Sequence, residues 1–173
     1  QLNALPEVQR SSWVIEENVL LRCGDQQGVA TMKGVEPQYL EMSRLKDFLF
    51  DGAISLEGTT GPTAILGIAL KTDLAVPLDD GVFQPLEISA PIRGRKLSKY
   101  QQRAFEQSSL AVSGTYTMNM EFDAKYAVVP LEFAQEVLHY DSSVSALEVQ
   151  LKNSKDMDRV AKKLRVDLGP SFI

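Results

Sequence analysis

The spacing of hydrophobic residues changes several times along the chain, and each change marks a different element. Leu2 to Val8 reads as the closing turns of a helix that stops near Pro6. Apolar triplets follow at Trp13-Val14-Ile15 and Val19-Leu20-Leu21, and Val29 to Val35 then alternates loosely. Between these runs lies Cys23-Gly24-Asp25-Gln26-Gln27-Gly28. Its glycines supply the positive φ that a tight reversal needs, so a β-hairpin is expected, closed by Gly34-Val35-Glu36-Pro37.

Past Gln38 the texture differs. Leu45, Phe48 and Leu49 recur at helical spacing with Asp51-Gly52 as a stop, and Thr59-Thr60-Gly61-Pro62 forms a loop. Ala64 to Leu74 reads as a short buried strand running into a helix, Asp79-Asp80-Gly81 as a turn, and Phe83 to Ile88 as another strand. Ala90 to Ser108 has almost no period-2 pattern, and Leu110 to Met118 then alternates again. The intervening segment is therefore expected to project as a long hairpin or arm.

The last third has the clearest pattern. Tyr126-Ala127-Val128-Val129 is a strand, and Pro130 falls at the first helical position, where its missing N–H costs nothing. Phe133, Ala134, Val137 and Leu138 form one apolar face behind it. Ser145 to Lys152 alternates as a half-buried strand. Asn153 or Ser154 caps a second helix, with Asp156 and Asp158 in its positive first turn. Met157, Val160, Ala161 and Leu164 are its expected buried face, and Gly169-Pro170 ends it. The order β-α-β-α-β predicts a compact α/β layer.

Composition bounds this picture. The 173 residues are 44% hydrophobic and 24% charged, enough for one core or two small subdomains sharing one. The net charge of -5 argues against nucleic acid as the main partner. No apolar run approaches the roughly 18 residues that span a bilayer. A chain that begins at Gln1 without a signal-like segment, and ends on the start of a strand at Ser171-Phe172-Ile173, reads as a domain excised from a longer protein. Cys23 has no partner for an internal disulfide, and its apolar setting suits a small buried hydrophobe.

Few residues nominate chemistry. His139, at the end of the Phe133–Leu138 helix, suits a C-terminal cap better than a ligand or base. No metal-ligand, nucleophile-elbow, P-loop or dinucleotide motif is present, so no catalytic residue, metal or cofactor is expected. The arm, residues 91–107, is sharper. Arg93, Arg95, Lys96, Lys99 and Arg103 stand there without an acid from Arg93 to Arg103, with Leu97, Tyr100 and Phe105 as apolar anchors. Taking those five from the 18 basic residues leaves 13 against 23 acidic ones, a body near -10 with a +5 projection. Such separation steers an acidic partner toward the arm. The same cations also fit a solvated hairpin edge or a surface for anionic lipid. Met118, Met120 and Phe122, two apart in an expected strand, share one face that serves either as buried core or as an apolar cargo surface.

Gly34-Val35-Glu36-Pro37, Ala64-Ile65-Leu66-Gly67-x-x-Leu70 and Phe122-Asp123-Ala124-Lys125-Tyr126-Ala127-Val128-Val129-Pro130-Leu131 resemble, in order and spacing, the extracytoplasmic domain of ABC-transporter permeases of the FtsX/MacB superfamily. The nearest likeness is to the lipoprotein-releasing LolC/LolE type. The resemblance implies an α+β fold of two subdomains. Residues 1–36 and 122–173 would form the α/β layer, and residues 37–121 a central, mostly β insertion carrying the arm. It implies a place on the periplasmic face of the bacterial inner membrane, between transmembrane helices. The implied partners are a cytoplasmic ATPase subunit, a second permease subunit, a periplasmic lipoprotein carrier and lipoprotein cargo. The implied function is release of lipoproteins to that carrier, with the arm as docking hairpin. The alternative is a MacB- or FtsX-type mechanotransmission domain working with an outer-membrane channel or a cell-wall hydrolase partner. In this chain Asp79-Asp80-Gly81 replaces the Gly-Asp of relatives, and the arm has no proline-rich tip.

Overall fold

The computed structural model describes residues 5–78, 84–91, 105–140 and 143–169. Within them the strands are β1 (Val8–Cys23), β2 (Gln26–Val35), β3 (Leu49–Gly52), β4 (Glu57–Gly58), β5 (Gly61–Gly67), β6 (Leu86–Pro91), β7 (Phe105–Tyr116), β8 (Tyr126–Pro130) and β9 (Ala146–Leu151). The helices are α1 (Tyr39–Met42), α2 (Ile68–Asp73), α3 (Met120–Lys125), α4 (Leu131–Leu138) and α5 (Met157–Leu168), with 3-10 turns at Leu45–Phe48 and Ser154–Asp156. This is the mixed α+β architecture expected.

The strands run in the order β3-β7-β6-β1-β2-β8-β5-β4, with β9 on β1. Because β5 also pairs in parallel with β7, the path β7-β6-β1-β2-β8-β5 returns to its start. Six strands thus form a closed hydrogen-bonded ring. β1 is long enough to serve three neighbours, pairing β2 along Val14–Cys23, β6 along Leu20–Arg22 and β9 along Val8–Val14.

Alternation on each strand supplies two cores. Ile15, Val19 and Leu21 of β1, Ala30 and Met32 of β2, Ala64 and Leu66 of β5, and Ala127 and Val129 of β8 turn inward and meet α2 and α4. The alternate residues Val14, Val35, Ile65 and Val128 face outward under α1 and the Leu45–Phe48 turn. β7 serves both sides through a bulge. Ala64 pairs with Val112 but Ile65 pairs with Gly114, so Ser113 is the extra residue and the face presented changes there. Leu110 and Val112 consequently belong to the inner core and Tyr116 to the outer one.

Two glycines hold the covering helices close. A Cβ at Gly34 would stand 2.4 Å from the Ala134 Cβ of α4, and one at Gly67 would stand 2.2 Å from the Asp123 carbonyl oxygen of α3. Both positions need a residue without a side chain.

Several expectations are corrected. The runs around Trp13 and Val19 are one strand, because the polar residues between them, Glu16, Glu17 and Asn18, occupy rungs paired with β2. Val8 opens that strand rather than ending a helix, and Pro6-Glu7 is a turn, while residues 1–4 lie outside the described residues. Leu45 to Leu49 is a 3-10 turn running into β3, since Leu49 pairs with Tyr116 and draws the chain into the sheet edge. Asp51-Gly52 accordingly sits within β3. The helix α5 buries Val160 alone. Met157 is 63% exposed, and the polar side of the helix reaches the segment ahead of β1 through the Arg159–Glu7 ion pair. Asp79-Asp80-Gly81 lies outside the described residues.

Strand β5 running into α2 matches its expectation. Pro130, however, is the last residue of β8 and the N-cap of α4 instead of its first helical residue. Asn153 caps the 3-10 turn Ser154–Asp156, which leaves Asp156 as the N-cap of α5. His139 caps α4 through left-handed backbone, φ 53°, its N–H donating to the Glu136 carbonyl at 3.2 Å.

Candidate functional site

The outer face of the ring carries a row of polar side chains that the inner face lacks. Lys33 projects there from β2, directly across from Glu16 of β1 in the antiparallel register. Its ammonium donates to Glu16 at 2.8 Å and to Glu148 of β9. One lysine therefore ties three adjacent strands together, with a side chain only 12% exposed. Burial by itself would lower the Lys33 pKa, but the hydrogen bonds it donates to Glu148 and Glu16 outweigh it and hold the group above the ordinary lysine value. At neutral pH it is a fixed cation and not a base.

Aromatic rings surround that cation. Its Nζ lies 5.0 Å from the Tyr39 ring centroid and 5.8 Å from that of Tyr126. Tyr126 in turn stacks on Phe122 with centroids 5.4 Å apart. Burial raises the Tyr39 phenol above its usual value, with Lys33 opposing the shift. Burial raises Tyr116 as well, reinforced by the nearby Asp123 carboxylate. Both phenols are neutral at pH 7. The Tyr116 hydroxyl lies 3.2 Å from the Phe122 carbonyl oxygen and 3.3 Å from that of Tyr126, so its single proton serves two acceptors.

These groups line a cavity of about 250 Å³, together with Ser43, Leu45, Met118 and Val128. Its α3 wall is fixed locally. Asn119 caps that helix by accepting from the Phe122 N–H at 3.1 Å, and the buried Asp123 carboxylate accepts from Thr117 Oγ1 at 2.9 Å and the Met118 N–H at 2.8 Å. The Ser43 Oγ is buried without a hydrogen-bond partner.

A second cavity, about 480 Å³, is lined by Glu106, Glu132, Glu136 and His139, with His139 Nε2 3.2 Å from Glu106 Oε2. Among the described residues no group of three or more His, Cys, Asp or Glu is placed to hold a metal. No described helix is long and apolar enough to cross a membrane.

The residues singled out from sequence divide three ways. Arg93, Arg95, Lys96, Leu97, Lys99, Tyr100 and Arg103 lie outside the described residues, and Phe105 is described only in its backbone, which pairs with Pro91 as the last rung of β6 and β7. Met118, Met120 and Phe122 do not share a strand face. β7 ends at Tyr116, and the Asn119 cap turns the chain into α3. Met118 and Phe122 still meet at the cavity, while Met120 is 87% exposed. Sequence reasoning missed Lys33, Tyr39, Ser43, Tyr116 and Tyr126. The one available signal was Lys33 itself, a lone cation in the apolar run from Val29 to Val35.

Neither the protein-family models nor the curated proteins include a match to this chain. Solved structures do match. The periplasmic region of MacB from Actinobacillus actinomycetemcomitans aligns over 96% of this chain and 70% of its own length, at 14% identity and TM-score 0.61. The extracellular domain of the noncanonic ABC-type transporter YknZ from Gram-positive bacteria aligns over 97% of this chain and 80% of its own, at 13% identity and TM-score 0.63. A domain described as part of a permease from Porphyromonas gingivalis aligns over 94% and 65%, at 12% identity and TM-score 0.52. At these identities the likeness establishes the fold: the chain is built like the extracytoplasmic domains of ABC-type permeases.

Proposed function

We propose that the chain serves as the extracytoplasmic domain of an ABC-type permease in the bacterial inner membrane. ATP hydrolysis then belongs to a cytoplasmic ATPase subunit, and this domain performs no catalysis and carries no cofactor. The observation behind this reading is the overlap of nearly the whole chain with the MacB and YknZ domains. In the proposal, residues 1–36 with 122–173 and residues 37–121 act as two mechanical parts, paired with those of a second permease subunit.

Within that class we propose lipoprotein release, in which the basic arm hands cargo to a periplasmic carrier. Its support is the motif resemblance and the charge contrast between a +5 arm and a -10 body. Mechanotransmission to an outer-membrane channel or cell-wall hydrolase partner is the second reading, favoured by the fact that the matched structures belong to MacB and YknZ. Photo-crosslinkers at Arg95 and Lys99 of the full-length permease separate the two. Capture of a soluble lipoprotein carrier supports the first reading, and capture of a channel or hydrolase partner supports the second. Replacing Arg93, Arg95, Lys96, Lys99 and Arg103 with Ser is expected to weaken carrier binding and flatten its salt dependence. Unchanged binding at low salt removes the arm from the mechanism.

A further inference from the structure

We propose that the outward face of α5 lies against a bilayer surface rich in anionic lipid. The inference rests on the reading of the chain as an extracytoplasmic permease domain, which sets it beside a membrane, and it names a contact which that reading does not require.

The helix pattern defines the face. Arg159, Lys162, Lys163 and Val166 stand at i, i+3, i+4 and i+7 and so share one side of α5. Val160, the one buried residue of the helix, lies off that side, and Asp158 and Asp167 fall to its left and right. The four face residues are exposed, Val166 to 80%. Arg159 is held by Glu7 and Asp156, whereas among the described residues Lys162, Lys163 and Arg165 have no ion-pair partner.

Charge and position select the occupant. Residues 152–168 carry six Lys or Arg and three Asp, a net +3 in a chain of -5, so all other residues together stand at -8. Arg159 reaches Glu7 and Lys152 Nζ reaches the Pro6 carbonyl at 2.7 Å, which sets the helix beside the opening rung of the β1–β9 ladder. In the permease reading the membrane-spanning neighbours join the domain before β1 and after α5, so this end is turned toward the bilayer. The helix lines neither of the cavities described above. A convex face with one apolar side chain set among cations suits lipid headgroups, where phosphates meet the lysines and Val166 meets the acyl boundary. Weak attraction is sufficient there, because a tethered domain meets the surface at high local concentration.

The test is binding of the 173-residue chain to phosphatidylcholine vesicles with and without phosphatidylglycerol, followed by sedimentation and by amide signals. Expected are binding to the anionic vesicles only, its loss at high salt, and broadening at Lys162, Lys163 and Val166. Replacing Lys162, Lys163 and Arg165 with Ser should weaken binding by roughly 10- to 100-fold. Val166→Asp should weaken it as well, and all four side chains are exposed, so the fold is retained. Replacing the five arm cations with Ser should leave the α5 signals broadened as before. No binding to anionic vesicles, equal binding to neutral ones, or loss of binding in the arm variant alone overturns the proposal. So does a photo-crosslinker at Lys163 that captures an acidic protein while the vesicles stay unbound. Membrane fractionation of the full-length protein tests the permease reading separately. Recovery with membranes but no vesicle binding removes the contact and leaves the reading, and recovery in the soluble fraction alone removes both.

Discussion

Inside the ring, side chains from six strands form a mainly apolar core, with Thr115 and the Tyr140–Glu17 hydrogen bond as polar exceptions, and α2 and α4 pack against it. On the outer face the same strands present Glu16, Lys33 and Tyr126, under cover of nothing larger than α1, α3 and a 3-10 turn. The backbone alternation is common to both faces. What differs is the longest covering helix on each side, the eight-residue α4 within and the six-residue α3 without. An eight-residue helix such as α4 buries five side chains, whereas the four-residue α1 buries only Leu40. A face without enough apolar cover can still be stabilised by charge pairing and aromatic contact, and it keeps a cavity.

This contrast can be broken in four places. Leu66→Ala, on the inner face at 0% exposure, should cost about 2–5 kcal/mol in denaturant unfolding, because the closed ring cannot collapse into the void. A loss under 1 kcal/mol would mean that the inner core is loosely packed. Gly67→Ala should cost about 1–3 kcal/mol by pushing α3 off the sheet, and should perturb the amide signals of Met118 and Asp123 first.

Lys33→Met should cost roughly 1 kcal/mol, less than for a fully buried pair, since Glu16 and Glu148 are each more than a third exposed and recover solvent. Its signature is in the pH dependence. The folded-state Lys33 pKa is raised, so its contribution is complete below the ordinary value of 10.5 and is lost as pH climbs through the higher folded value. The raised phenols of Tyr39 and Tyr116 act in the same direction, because folding disfavours their ionised form above about pH 10. The native protein should therefore lose stability steeply above pH 10, and Lys33→Met should lose it less steeply. Parallel curves would show that Lys33 does not act as a tie. The smallest effect is expected on α5, where Met157→Gln should change stability by less than about 0.5 kcal/mol, as judged by thermal midpoint.

Much of the fold was legible because local pattern and tertiary role agree. The Pro130-led apolar face of α4 and the strand-to-helix step at Gly67 are examples. The motif glycines were visible too, although their purpose was not. Nothing near Gly34 in the chain names Ala134 as the atom it must make room for. The cavity was the least legible part. Its walls come from residues 33, 39, 43, 45, 116, 118, 122, 126 and 128, brought together by the parallel β2–β8 and β5–β7 pairings. The bulge at Ser113 then reverses which side Tyr116 faces, so simple counting along β7 puts that ring in the wrong core. Period-2 reasoning failed again from Met118 to Phe122, where Asn119 begins a helix that an alternating run conceals.

The pairing of β1 with β9 has a mechanical meaning. Val8 stands against Leu151, the Lys152 N–H donates to the Glu7 carbonyl at 3.0 Å, and Lys152 Nζ donates to the Pro6 carbonyl at 2.7 Å. The chain thus enters β1 and leaves β9 at the same end of an antiparallel ladder, whose bonds lie perpendicular to the strands. Tension applied between those two points falls on one rung at a time, peeling the ladder like a zipper. The interior ring, whose strands are crossed by parallel pairings further along, is spared until that ladder has opened.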